Sequence, residues 1–216
     1  MRKRSIFVLT VFFFWVNSSS GDITTILDTG PQGVTNGGST ISGGQFLGAR
    51  FTLEKPYIIT EIGGHIKGSS GEDRSLFAAV IPVSGASGLP SNNWLNEVVY
   101  ASVVDAPFND IGPYPYQVPD TIIDTSFSLE PGSYALVFGS RLFGATGRGW
   151  MPVRGSMQDL PWFIAGNSQG GWRSIQREQQ IRFFVHGEIV PVPGAVILGS
   201  IGLSFAGWKL RRRRDP

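Results

Sequence analysis

One pentapeptide matches the pattern that places a nucleophilic serine in α/β-hydrolases. Residues 166–170 read GNSQG and fit G-x-S-x-G, in which the serine lies on a sharp turn from a strand into a helix. The acid and the histidine of such a triad follow the serine in the chain, and only Glu178 with His186 offers that order. The pair Gly171-Trp172 does not readily begin a helix. We therefore interpret the pentapeptide as a glycine-rich loop and predict no catalytic residue; a hydrolase using Ser168 is the remaining enzymatic alternative.

Aromatic, guanidinium and amide side chains cluster in loop-like sequence between residues 148 and 173. The candidate glycan-binding residues among them are Trp150, Trp162, Trp172, Arg154, Arg173 and Asn167. Exposed tryptophans beside such groups could stack on sugar rings and hydrogen-bond to their hydroxyls. Large aromatic side chains also commonly fill a core. Both interpretations stay open.

The two histidines are expected on solvated strand faces. Period-two alternation places His65 on one face with Glu61 and Lys67, and His186 beside Glu188. A metal shared by His65 and His186 would require an adjacency that the sequence does not indicate. We therefore predict surface histidines and no metal ligand.

Two acidic loop segments are the only candidates for a cation. Residues 72–73 read Glu-Asp and residues 109–110 read Asn-Asp, and carboxylate and amide oxygens are the ligands that calcium prefers. The spacing of an EF-hand loop is missing. We expect plain solvated loops and no cofactor, with calcium as the alternative.

The charge distribution argues against a nucleic-acid partner. The chain has 18 Lys and Arg, 16 Asp and Glu and no cysteine. Eight of the basic residues lie in the two terminal segments, so residues 21–190 hold ten basic and 15 acidic side chains, a net charge of −5. An acidic body lacks the basic patch of a nucleic-acid-binding protein. Without disulfides or cysteine ligands, it must be stabilised by a hydrophobic core.

The N-terminal segment has the three parts of a secretory signal peptide. Arg2, Lys3 and Arg4 precede an apolar run over residues 6–16, and small polar residues follow up to Ser20. We predict a signal peptide over residues 1–20; an uncleaved signal anchor is the alternative. The body is then translocated, because both basic ends stay on the cytoplasmic side.

The C-terminal segment, residues 191–216, consists of a proline motif, an uncharged apolar stretch and a basic end. Residues 194–210 would form a helix of about 25 Å at roughly 1.5 Å per residue, against a bilayer core of about 30 Å. Insertion of so short and glycine-rich a helix is marginal. A sorting signal, a plain tail anchor or a core helix would each account for it. The residues of the predicted sorting signal are Pro191, Val192, Pro193, Gly194, Arg211, Arg212, Arg213 and Arg214.

This order of features resembles the PEP-CTERM sorting signal of exported bacterial proteins. Pro191-Val192-Pro193-Gly194-Ala195 stands where that family usually has Pro-Glu-Pro. The resemblance implies recognition by an exosortase-like processing enzyme after membrane insertion. It also implies a final location in the cell envelope, at the cell surface or outside the cell.

The body, residues 21–190, predicts one all-β domain. Short apolar runs alternate with Gly, Pro, Ser and Asn, and sustained helical periodicity is missing. Segments such as ITEIGGHI, FSLEPGSYALVF and the closing FFVHGEIVPVPG are similar to the exported domains called choice-of-anchor domains. That resemblance implies a jelly-roll-like antiparallel β-sandwich. The strands are expected over residues 23–27, 44–53, 57–66, 75–83, 97–104, 121–129, 132–139, 149–153 and 181–190.

Together these features predict an exported, membrane-anchored surface or matrix protein without catalysis. The alternative is a surface module that binds carbohydrate, such as an extracellular polysaccharide, through the tryptophan-rich region.

Overall fold

The computed structural model describes residues 22–33, 38–69, 73–84, 88–108, 118–154, 163–175 and 180–190. The predicted signal peptide and sorting tail lie outside these ranges. Within them the chain is all-β, with a single 3-10 helix at Trp94–Asn96. The strands are β1 (Thr24–Asp28), β2 (Gly38–Ile41), β3 (Phe46–Leu53), β4 (Tyr57–Gly64), β5 (Lys67–Gly68), β6 (Ser75–Pro82), β7 (Tyr100–Asp105), β8 (Thr121–Leu129), β9 (Gly132–Gly139), β10 (Gly149–Arg154), β11 (Phe163–Asn167), β12 (Gly170–Ser174), β13 (Gln180–Ile181) and β14 (Phe183–Ile189).

The strands form three antiparallel sheets. A four-stranded sheet has the order β1-β14-β4-β8, and a six-stranded sheet has the order β12-β11-β3-β9-β6-β7. A small third sheet has the order β13-β10-β2, with β5 also paired to β10. Neighbouring strands are often distant in sequence, so the sheets depend on long-range pairing.

The four-stranded and six-stranded sheets enclose one hydrophobic core between them, called here the inner core. Alternate residues of β3, namely Leu47, Ala49, Phe51 and Leu53, point into it, as the period of two requires. They meet residues of the opposite sheet such as Ile62. Each fully buried Leu, Ile or Phe side chain contributes roughly 1.5–3 kcal/mol, so this layered packing is the main source of stability.

A second cluster, called here the outer core, covers the other face of the six-stranded sheet. Phe46, Phe77 and Val137 lie there with Trp94 of the 3-10 helix, which is 1% exposed. The Phe46 and Trp94 rings meet edge to face at 5.9 Å. Because β6 is buried on both faces, its sequence is a continuous apolar run instead of an alternating one.

Both ends of the described body leave from one end of the sandwich. The backbone N–H of Val190 donates a hydrogen bond to the carbonyl oxygen of Pro56 over 3.0 Å, and Thr24 at the start of β1 pairs with Gly187 near the end of β14. Pro56 lies in the turn between β3 and β4. We call this end, where Thr24 and Val190 lie near the two ends of the described body, the tether pole.

The prediction of an all-β body is confirmed, and β8 and β9 have the predicted bounds. The prediction of loop-like sequence over residues 148–173 is wrong at β11 and β12, which extend the six-stranded sheet. No strand was predicted between residues 28 and 43, where the structure has β2. Within the described ranges, no helix is long and apolar enough to cross a membrane.

Candidate functional site

Two tight turns lie side by side at the end of the six-stranded sheet opposite the tether pole. Ser42 and Gln45 exchange backbone hydrogen bonds of 3.0 and 3.2 Å across the turn that leads into β3. In the second turn, Asn167 at the end of β11 pairs with Gly170 at the start of β12. The pairing of Gly166 with Phe46 brings the two turns together.

A polar cleft of about 210 Å³ lies between these turns. The cleft is lined by Gly44, Gln45, Ala165, Gly166, Asn167, Gly171 and Arg173. Of the six predicted glycan-binding residues, Asn167 and Arg173 are brought together here. The sequence interpretation missed Gln45 and Gly44, although the run Ser-Gly-Gly-Gln before an apolar strand is typical of a turn.

Arg173 is the charged member of the cleft lining. Its side chain is exposed, and within the described part of the chain it forms no salt bridge. Asn167 is held in place because the backbone N–H of Gln169 donates to its Oδ1 over 2.9 Å. A guanidinium and two side-chain amides therefore line the cleft together with Ala165 and three glycines, and these polar groups supply hydrogen-bond donors.

A second arginine lies against the first turn. Arg141 has a positive φ of 65°, which is uncommon for a residue other than glycine. A Cβ built on Gly43 would lie 2.1 Å from Cδ and 2.7 Å from Nε of Arg141. Only glycine at position 43 therefore lets this side chain lie across the turn, beside the cleft residue Gly44.

Of the three candidate tryptophans, the two that the structure describes, Trp150 and Trp172, lie outside the cleft lining. Trp172 alternates with Arg173 along β12 and packs on the outer core, with its ring 5.4 Å from that of Trp94. Trp150, on β10 of the small sheet, is half-buried, and Nζ of Lys67 lies 5.1 Å from its ring centroid. Trp162 and the Arg154 side chain lie outside the described part of the structure.

Ser168 lies in the two-residue turn of the hairpin between β11 and β12. A strand follows the G-x-S-x-G pattern, whereas the nucleophile elbow requires a helix there. The pentapeptide was interpreted as a glycine-rich loop, but Gly166 and Asn167 end β11 and Gly170 begins β12, so only Ser168 and Gln169 lie outside the strands.

His65 is buried, so its predicted surface position is wrong. Its ring is 1% exposed, because β4 ends at Gly64 and the alternation of faces ends with it. The N–H of Gly33 donates to Nδ1 over 2.9 Å, and Nε2 lies 3.0 Å from the carbonyl oxygen of Val118. Burial lowers the pKa of His65; the Asp120 carboxylate and the bond to Val118 oppose that shift, and Arg182 adds to it.

His186 does lie on an accessible face. Its Nδ1 is 2.8 Å from the Glu61 carboxylate on the neighbouring strand, and the two side chains are 27% and 30% exposed. Lys67, which was expected on the same solvated face as His65, is 4% exposed. The two histidines therefore occupy different environments and do not form a common site.

The carboxylate of Asp73, in one of the two acidic loop segments, accepts hydrogen bonds from neighbouring residues through both of its oxygens. Its Oδ1 accepts hydrogen bonds from the Ser75 backbone and hydroxyl, at 2.9 and 2.6 Å, and its Oδ2 accepts one from the Thr146 hydroxyl. These bonds, first those from Ser75, lower the pKa of Asp73. Glu72, Asn109 and Asp110 lie outside the described residues. Within the described ranges, no group of three or more His, Asp or Glu side chains could hold a metal ion.

Comparisons with family models, with curated proteins and with solved structures returned no match for this chain.

Proposed function

We propose that this chain is an exported bacterial protein of the cell surface or extracellular matrix. Its body is a jelly-roll-like sandwich, which the C-terminal segment holds at the membrane from one end until that segment is processed. The observation that carries the proposal is the tether pole, where Val190 bonds to Pro56 and Thr24 pairs with Gly187. A body held there extends away from the membrane.

The C-terminal segment supplies the sorting information in this proposal. Residues 191–194 and Arg211 to Arg214 are the part that an exosortase-like enzyme recognises after the apolar stretch enters the membrane. The marginal length of that stretch favours transient insertion over permanent anchoring.

Surface retention tests this proposal. The full chain and a chain that ends at Val190 are expressed in a host that has an exosortase, and each is followed by immunoblot of the envelope and the medium. We expect the full chain in the envelope or at the surface and the shortened chain in soluble fractions. The same distribution for both would overturn the role of the tail.

A second function, carbohydrate binding, is favoured by the position of the cleft. Gly44 and Gln45 precede β3, whereas Pro56 follows it. The eight residues of β3 at about 3.3 Å each place the cleft roughly 25 Å from the tether pole. Asn167 and Arg173 would then face material outside the cell.

A glycan array with the purified protein tests this second function. We expect binding to at least one polysaccharide fragment and loss of binding in Asn167→Ala. An array without any bound glycan, obtained with protein that unfolds cooperatively, would overturn carbohydrate binding and leave the sorting proposal standing.

A further inference from the structure

We propose that the cleft binds an acidic sugar, a uronate unit of a polysaccharide, whose carboxylate pairs with Arg173. This inference rests on the carbohydrate-binding function proposed above and names its ligand class. The cleft lining has one cation, Arg173, two side-chain amides and three glycines.

The size of the cleft fits a single ring. A volume of about 210 Å³ is below the roughly 300–1,000 Å³ of sites for drug-sized ligands. One pyranose ring with its substituents is of the appropriate size, and its neighbours in a chain would extend over the surface.

Aromatic stacking does not contribute in the cleft, because its described lining holds no aromatic side chain and Trp172 packs on the outer core. Selection must therefore come from hydrogen bonds and charge. A guanidinium presents its donors in a planar fork that matches a carboxylate in a bidentate way. The side-chain amides of Gln45 and Asn167 then form hydrogen bonds with the hydroxyls of the sugar ring, which both donate and accept hydrogen bonds.

The charges around the cleft favour an anion. No Asp or Glu belongs to the described cleft lining, although the body as a whole has a net charge of −5. Arg141 adds a second positive charge at the adjacent turn, where its side chain lies on Gly43. The acidic remainder of the body repels polyanions, so they approach preferentially at this locally positive site.

Paired titrations of the full-length protein test the inference. The probes are oligomers of galacturonate, glucuronate and mannuronate, each paired with its carboxyl-reduced neutral counterpart, and acetate as a simple carboxylate. We expect at least one acidic oligomer to bind about tenfold or more tightly than its neutral counterpart, because its bonds to Arg173 are charge-assisted. Added salt should reduce that preference.

Variants locate the effect. Arg173→Gln should abolish the preference for the acidic oligomer, and Arg141→Gln should reduce that preference. Arg148→Gln is the control: it removes the same charge from an exposed position outside the cleft lining, and it should retain the preference. Because Arg173 is exposed, the midpoint of thermal unfolding should be the same in Arg173→Gln as in the parent protein.

Four outcomes would overturn the inference. Equal affinity for each acidic and neutral pair would overturn acid selection and leave carbohydrate binding intact. Acetate that binds as tightly as the oligomers would indicate a simple anion site. If none of the acidic oligomers binds while a neutral glycan on the array does, the ligand class is wrong; if no glycan binds at all, carbohydrate binding fails as well.

Discussion

The backbone N–H of Gly33 donates a hydrogen bond to Nδ1 of His65 over 2.9 Å, which requires that this ring nitrogen carry no proton. The other nitrogen, Nε2, then donates to the carbonyl oxygen of Val118, 3.0 Å away. In its neutral form His65 thus joins the segment between β1 and β2 to the segment before β8. Protonation of Nδ1 would turn an acceptor into a donor facing another donor.

This relationship predicts a stability that falls with acidification. Burial lowers the pKa of His65 in the folded state, whereas the unfolded chain takes up the proton near 6.5. The contribution of His65 is therefore fully present above about pH 6.5 and is lost as the pH falls toward the folded-state pKa. Denaturant unfolding between pH 5 and 8 measures this slope.

The variant His65→Leu identifies the source of the slope. At pH 8 it should be less stable, by roughly 1–3 kcal/mol for each buried partner left without a hydrogen bond, and its stability should change less with pH. An identical slope in both proteins would assign the pH dependence to other groups.

Trp172 should affect stability without affecting ligand binding. Its ring lies 5.4 Å from Trp94 and 6.4 Å from Phe46, so Trp172→Leu should destabilise the protein by about 1–3 kcal/mol. Arg173, the next residue, lines the cleft. In calorimetric titration with the acidic oligomer that the parent protein binds, Trp172→Leu should have the same affinity as the parent. A large loss of affinity would favour an aromatic platform instead.

Gly139 and Gly44 allow a matched test of how closely side chains pack around a glycine. A Cβ on Gly139 would lie 2.3 Å from Cζ of Phe77 and 2.4 Å from Cδ1 of Phe46, whereas a Cβ on Gly44 would meet no atom within 4 Å. Gly139→Ala should therefore cost about 1–3 kcal/mol, and Gly44→Ala less than about 0.5 kcal/mol. Thermal unfolding compares them, and equal losses would contradict the tight packing at Gly139.

Ser168 is expected to have no catalytic role. It lies in a two-residue turn, so Ser168→Ala should change the free energy of unfolding by less than about 0.5 kcal/mol. A panel of ester substrates should give the same background rate with the parent protein and the variant. A parent activity that disappears in the variant would restore the hydrolase alternative.

The strands that the sequence predicted best have clear local signals. β8 and β9 are separated by Glu130 and Pro131, and the turn chemistry of Pro131 with Gly132 fixes their bounds. β11 and β12 were missed because the three glycines in residues 166–171 are typical of a loop. Gly166 instead lets the sheet pass beneath the Trp172 ring, since a Cβ there would lie 2.5 Å from its Cε3.

The candidate site was predicted only in part for a similar reason. Asn167 and Arg173 were identified by residue type, but Gln45 joins them through the pairing of β3 with β11, a contact between segments about 120 residues apart. Local patterns do not report such pairing. His65 was misplaced because alternation predicts a face only while the strand continues, and β4 ends one residue earlier.

The intact mass of the protein recovered from the cell surface tests the central claim, export followed by processing of the tail, most directly. We expect a form that begins at Gly21 and has lost the residues after Pro193, with none of the terminal arginines. A surface form that retains Arg211 to Arg214 would contradict it.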